Sequence, residues 1–186
     1  MSRYVLDCCT LLNLYCGWSG IQNLSQFGQE WHIGQVALSE AQYIREFGVN
    51  GQIVSQQIDP SHLLGQFSLK VLSDLSDEEA SLRIKLAHML DDGEAEGLAL
   101  ATYRGYTFCS DDKPVQEAAT ALKLPTPIVS TPDLLQVWAS NDAQRTTMLR
   151  SVIRRITELS RFTPHRSSPH LSWWQQMLAA SVEHKP

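Results

Sequence analysis

The chain has 186 residues, 43% apolar and 19% charged, with a net charge of −5, the composition of a globular protein and not of a disordered or fibrous one. No apolar run approaches the roughly 20 residues that span a bilayer. The first run, Tyr4-Val5-Leu6, is too short for a signal peptide and ends at the acid Asp7, so a cytoplasmic location is the expectation. Residues 1–140 hold 8 Lys+Arg and 17 Asp+Glu, net −9, while residues 141–186 hold 7 and 3, net +4. The first part would repel a polyanion unless cations sat in it. The second is able to attract phosphate or simply to present solvated helices. Adjacent Cys8 and Cys9, with Cys16 and Cys109, suit neither a zinc knuckle nor a disulfide framework and read as reduced thiols packed as small hydrophobes.

Tyr4-Val5-Leu6 reads as a short buried strand closed by Asp7. Leucines at 11, 12 and 14 suit a first helix over residues 10–15, broken by Gly17 and Gly20. Residues 18–30 are loop-like, and Trp31-His32-Ile33 suits a second strand. Ser39 is placed to cap a helix over residues 40–47 that Gly48 ends. Residues 52–58 fit strand or loop, and residues 61–72 are ambiguous. Ser76-Asp77-Glu78-Glu79 is a capping box before a helix with Leu82, Leu86 and Met89 or Leu90 on one stripe. Asp91-Asp92-Gly93 stops it and starts another that Gly105 ends.

Tyr106 to Cys109 is a further strand. Pro114 suits the first turn of a helix reaching Leu122. Pro127-Ile128-Val129 is another strand, and Thr131-Pro132 is a cap and first-turn proline for a helix through Trp138. Residues 142–161 fit a helix with Met148, Val152 and Ile156 on one face. Residues 162–170 read as a Pro/Ser/His linker, and residues 171–180 as a last helix in which Trp173-Trp174 anchors the tail. The alternation of short strands and helices implies an α/β fold with a mainly parallel sheet and helices on both faces. Sites in such sheets form outside the C-terminal ends of the strands.

That is where several isolated carboxylates fall. Asp7 follows Arg3-Tyr4-Val5-Leu6, Glu40 follows Ile33-Gly34-Gln35-Val36-Ala37-Leu38-Ser39, Glu94 opens Gly93-Glu94-Ala95-Glu96, and Asp111-Asp112 follows Phe108-Cys109-Ser110. Carboxylates at buried strand ends cost desolvation energy unless compensated, and a hard divalent cation compensates them through oxygen ligands. Each position alone has a simpler explanation. A lone Asp after a strand is commonly a turn or cap residue, and acids in first helical turns are favoured for stability. Asp91, Asp92 and Glu96 read as turn and solvated face. The histidines show no metal-ligand spacing, and Arg150, Arg154 and Arg155 read as a solvated helix face.

In this order, the four motifs resemble the PIN domain over roughly residues 1–140. The resemblance implies a compact three-layer α/β/α sandwich, followed here by a basic helical extension over residues 141–186. It also implies a Mg²⁺- or Mn²⁺-dependent ribonuclease site, and in many bacterial members a VapC-type toxin paired with a small antitoxin and forming a homodimer. Carried over by position, Asp7, Glu40, Glu94 and Asp112 are the candidate catalytic acids, and Asp7, Glu94, Asp111 and Asp112 the candidate metal ligands. The choice between Asp111 and Asp112 as the fourth acid stays open. Ser110 matches the small hydroxyl residue before the last acid.

Two positions depart from the family pattern. Cys8 and Cys9 stand where a Thr or Ser is usual, leaving Thr10 as the nearest hydroxyl, and Lys113-Pro114 stands where many relatives carry an Arg. These departures motivate a second reading, a PIN-like module that binds RNA or a protein without cutting. A third, a phosphatase with Asp7 as nucleophile, lacks the second Asp of an Asp-x-Asp-x-Thr motif.

Overall fold

A computed structural model describes residues 2–59, 63–64, 69–140 and 142–179. Along the chain, β1 (Arg3–Leu6) leads into α1 (Cys8–Trp18), and a 3-10 turn (Gln22–Phe27) precedes β2 (Glu30–Gly34) and α2 (Gln35–Glu40). A hairpin of β3 (Tyr43–Phe47) and β4 (Ile53–Gln57) follows, then β5 (Leu69–Leu72), α3 (Asp77–Leu86), α4 (Asp92–Arg104) and β6 (Thr107–Cys109). The chain continues through α5 (Lys113–Ala121), β7 (Ile128–Val129), α6 (Thr131–Ser140), α7 (Ala143–Arg155), a π-helical turn (Ile156–Ser160) and α8 (Leu171–Ala179).

Five strands form one parallel sheet in the order β5-β2-β1-β6-β7. Alternate residues of each strand face opposite layers. Leu6 and Cys109 join one core with Leu11, Leu14, Leu135, Val152, Ile153 and Trp174, from α1, α6, α7 and α8. Val5 and Phe108 join the other with Leu86, Leu98, Val115 and Ala118, from α3, α4 and α5. The result is an α/β/α sandwich. Strand order reverses direction at β1, so the crevice between the ends of β1 and β6 is the expected site. Among the described residues, no helix is long and apolar enough to cross a membrane.

The capping box at Ser76 and Glu79 forms as the sequence indicates, as do the breaks at Asp91 and Gly105. The stretch after β2 does not. Residues 40–47 are not a helix: α2 runs Gln35–Glu40, and Tyr43–Phe47 is a strand paired antiparallel with Ile53–Gln57. A remote carboxylate explains the earlier start. Glu96 Oε2 accepts the Val36 N–H at 2.8 Å, and a Cβ at Gly34 would stand 2.4 Å from that oxygen. Tyr43, Ile44 and Phe47 favour a pleated strand, and Gly51 closes the hairpin turn at φ +72°.

Helix α1 passes through Gly17 to Trp18, with Ser19 as its left-handed cap. Gly17 is needed for packing: a Cβ there would lie 2.9 Å from Val152 and Ile156. On α7, Met148 is exposed, and Leu149, Val152 and Ile153 form the buried stripe. Arg155 is half-buried, and its Nε donates to the Cys16 carbonyl at 3.0 Å near the end of α1. Trp174 is fully buried, donates to Thr157 Oγ1 at 3.0 Å and meets Phe162 edge to face. Ala180, His62 and His184 lie outside the described residues.

Candidate functional site

Strands β1 and β6 end in phase, Leu6 opposite Cys109, and the Asp7 N–H donates to the Cys109 carbonyl at 3.0 Å. Asp7 thereby leaves the sheet in a fixed direction and caps α1, its Oδ1 accepting the Thr10 N–H at 2.5 Å. The residue is 3% exposed, and Oδ2 is buried without a hydrogen-bond partner. Burial pushes its carboxyl up to about 7. The Asp111 charge adds to the rise, and the Thr10 backbone N–H partly opposes it.

Asp111 is differently employed. Its Oδ1 accepts the Thr131 N–H at 2.8 Å, and its Oδ2 accepts the Thr131 hydroxyl at 2.5 Å and the Asn13 amide at 3.1 Å. It ties the start of α6 to the middle of α1. Burial pushes its carboxyl up to about 6 against those hydrogen bonds. Asp112 precedes α5 without a side-chain cap bond, and its N–H donates to Ser110 Oγ at 3.2 Å. Its carboxyl neighbours that of Glu94. Burial and the nearby Asp91 and Asp112 carboxyls push Glu94 up to about 8. Glu94 is held in the first turn of α4, with its N–H on the Asp91 cap at 2.8 Å.

Cys9 stands among these acids. Burial and the charges of Asp7, Asp112 and Glu94 push its thiol up to about 12, so it is neutral and a poor nucleophile at physiological pH. The structure therefore brings together Asp7, Glu94, Asp111 and Asp112. None of the four has a Lys or Arg ion-pair partner among the described residues. As the side chains stand, no three His, Cys, Asp or Glu residues among those described converge tightly enough to hold an ion.

Glu40 ends α2 instead of opening a helix. Its carboxyl lies against Gly93, the residue before Glu94, and is raised by burial and by Asp91, Asp92 and Glu96. Glu96 belongs to no solvated face: it is 2% exposed, capping α2 with Arg83 Nη1 at 3.8 Å.

Asn13 and Thr131 are site residues that the sequence did not mark. Asn13 is a polar residue inside a run of leucines, a signal that a polar partner waits in the core. Thr131 looks like a helix cap, but Ser130 does the capping: its Oγ accepts the Asp133 N–H at 3.4 Å, and Asp133 Oδ2 accepts the Ser130 N–H at 2.9 Å. That frees Thr131 for Asp111.

No family model matches the sequence, and no curated protein matches it. Among solved structures, the chain is similar to a PilT N-terminus domain protein from the hyperthermophilic archaeon Sulfolobus solfataricus P2. The identity is 14% and the TM-score 0.42, over 74% of this chain and 92% of that one.

Proposed function

We propose that the chain is a divalent-metal-dependent endoribonuclease that hydrolyses RNA phosphodiester bonds through Asp7, Glu94 and Asp112. The observation that carries this reading is the uncompensated charge beyond β1 and β6. Asp7 buries a partnerless Oδ2 near the neighbouring carboxyls of Glu94 and Asp112. The donor chemistry, anionic and all oxygen, is the kind Mg²⁺ or Mn²⁺ prefers, and the carboxylates would draw closer to hold the ion than they stand here; when bound, such an ion stabilises charge on phosphate oxygens and lowers the pKa of an attacking water.

The chain's own residues divide the remaining work. Asp7, fixed by a strand end and a cap bond, presents Oδ2 in one direction. Glu94 and Asp112 form a pair able to take up the proton that an attacking water releases. Asp111 is a positioning residue, since Thr131 and Asn13 occupy both of its oxygens, and Glu40 stands against Gly93 beside Glu94. Asp7→Asn should abolish metal-dependent cleavage of single-stranded RNA with the circular dichroism spectrum unchanged; undiminished cleavage refutes the assignment.

One observation favours the second reading, an RNA- or protein-binding module that does not cut. Cys8 and Cys9 replace hydroxyls, and the Thr10 hydroxyl is taken by the Cys109 carbonyl at 3.2 Å. RNA binding without cleavage in either Mg²⁺ or Mn²⁺ would select it. A cytoplasmic toxin held by a small antitoxin, acting as a homodimer, completes the first reading. The exposed apolar residues Phe47, Val49, Ile53 and Val54 of the hairpin offer a face for such a partner.

A further inference from the structure

A groove of about 700 Å³ opens directly beside the carboxylates and is bounded by three parts of the chain. Cys9, Asn13, Asp111 and Asp112 belong to the acidic site. Tyr43 and Arg45 come from the β3–β4 hairpin. Arg161, Phe162 and His165 come from the segment after the π-helical turn. The hairpin and this segment lie outside the parallel sheet, and their residues play no part in the site described above.

Beyond Asp111 and Asp112, the charged residues that line the groove are cations. Arg45 and Arg161 line it, and neither has an ion-pair partner among the described residues. Arg161 is held at φ +59°, a left-handed conformation that a non-glycine residue adopts at a cost. Tyr43, 59% exposed, and half-buried Phe162 add two aromatic rings to the lining. Cations for the backbone and rings for the bases are the combination that binds single-stranded nucleic acid.

The geometry points to this groove as the track of a single RNA strand. Arg161 and Arg45 hold phosphates and Tyr43 and Phe162 stack bases, so that the adjoining phosphodiester lies at Asp7, Glu94 and Asp112. The substrate assignment rests on the nuclease reading, but the hairpin and the 161–165 segment are new parts of the machinery. They are positioning elements that decide which strand reaches the acids.

The test measures anisotropy of a fluorescein-labelled, mixed-sequence single-stranded RNA of about ten nucleotides, a length within the usual site sizes. It uses the full chain carrying Asp7→Asn, so that the strand stays intact. Adding Arg161→Gly removes the charge while glycine keeps the left-handed backbone. Affinity should fall about tenfold, and the slope of log affinity against log salt should shrink by about 0.7, the signature of one lost phosphate contact on a single strand. Arg161→Lys should keep the slope. Lys123→Gly is the control, since Lys123 shares the left-handed backbone at φ +54° but lies past the far end of α5 and outside the groove.

No RNA binding by the Asp7→Asn parent overturns the inference. So does an Arg161→Gly protein that matches Lys123→Gly in affinity and slope. Failure of the nuclease reading looks different: binding depends on Arg161, yet the unmutated chain cleaves nothing in Mg²⁺ or Mn²⁺. Cleavage that survives Arg161→Gly at the unmutated rate, with unchanged binding, removes the groove and leaves the nuclease.

Discussion

At Asp7 the fold and the chemistry pull in opposite directions. Burial lifts its carboxyl from 3.8 to about 7, so the folded state binds the proton more tightly than the unfolded chain does. Stability from this group is therefore fullest below about pH 4 and is lost as pH rises through 7. A shift of this size corresponds to at most about 4 kcal/mol. Asp7→Asn keeps the capping oxygen for Thr10 and removes the charge. Urea melts should show the variant more stable than the parent at pH 8 and little different at pH 4; a variant less stable at pH 8 contradicts this.

Asp111 and Asp112 are adjacent in sequence but not equivalent in the fold. Asp111→Ala leaves the Thr131 N–H and hydroxyl and the Asn13 amide unpaired and should cost about 2–4 kcal/mol. Asp112→Ala should cost less than about 1 kcal/mol, because its carboxyl meets another acid and anchors nothing. Equal losses in thermal melts would deny Asp111 its positioning role. The sequence showed that both acids follow a strand, but not which carries hydrogen bonds. Asn13 and Thr131 reach Asp111 from positions 98 and 20 residues away.

At the scale of elements, local signals were legible where the cap and the helix are neighbours. Ser76 with Glu79, Asp91 and Gly105 mark α3 and α4 in sequence and in structure. Helix α2 was not legible, because its N-terminal donor is met by Glu96, 60 residues on. Without that partner in view, Ser39 and Gly48 suggest a helix where the chain forms the first strand of a hairpin. Gly17 likewise looked like a helix breaker and is a contact point. Gly17→Ala should drive a methyl into Val152 and Ile156, contacts of 2.9 Å, and cost about 1–3 kcal/mol through overpacking. A neutral or stabilising result by chemical denaturation would mean that α7 is not seated on α1 as described.

Across the whole molecule, the parallel sheet with helices on both faces could be read from the alternation of strands and helices, because each strand is short and apolar. The proximity of Asp7 to Asp111 and Asp112 follows from strand order, which places β1 beside β6, while Glu94 comes from the first turn of α4. The place of residues 162–165 beside the acids did not follow, since the Pro/Ser/His stretch over 162–170 carries no periodicity to say where it packs. Charge separation along the chain becomes a spatial arrangement: acids at the strand ends, with Arg45 and Arg161 in the groove beside them.

The most direct test of the acidic site is calorimetric titration of Mn²⁺ at pH 7.5 into the intact chain, its Asp7→Asn variant and its Glu40→Gln variant. Saturable binding by the intact chain, lost in Asp7→Asn and retained in Glu40→Gln, is the expected result. An intact chain that binds no Mn²⁺, or an Asp7→Asn protein that binds it as tightly, would contradict a divalent-cation pocket at the ends of β1 and β6.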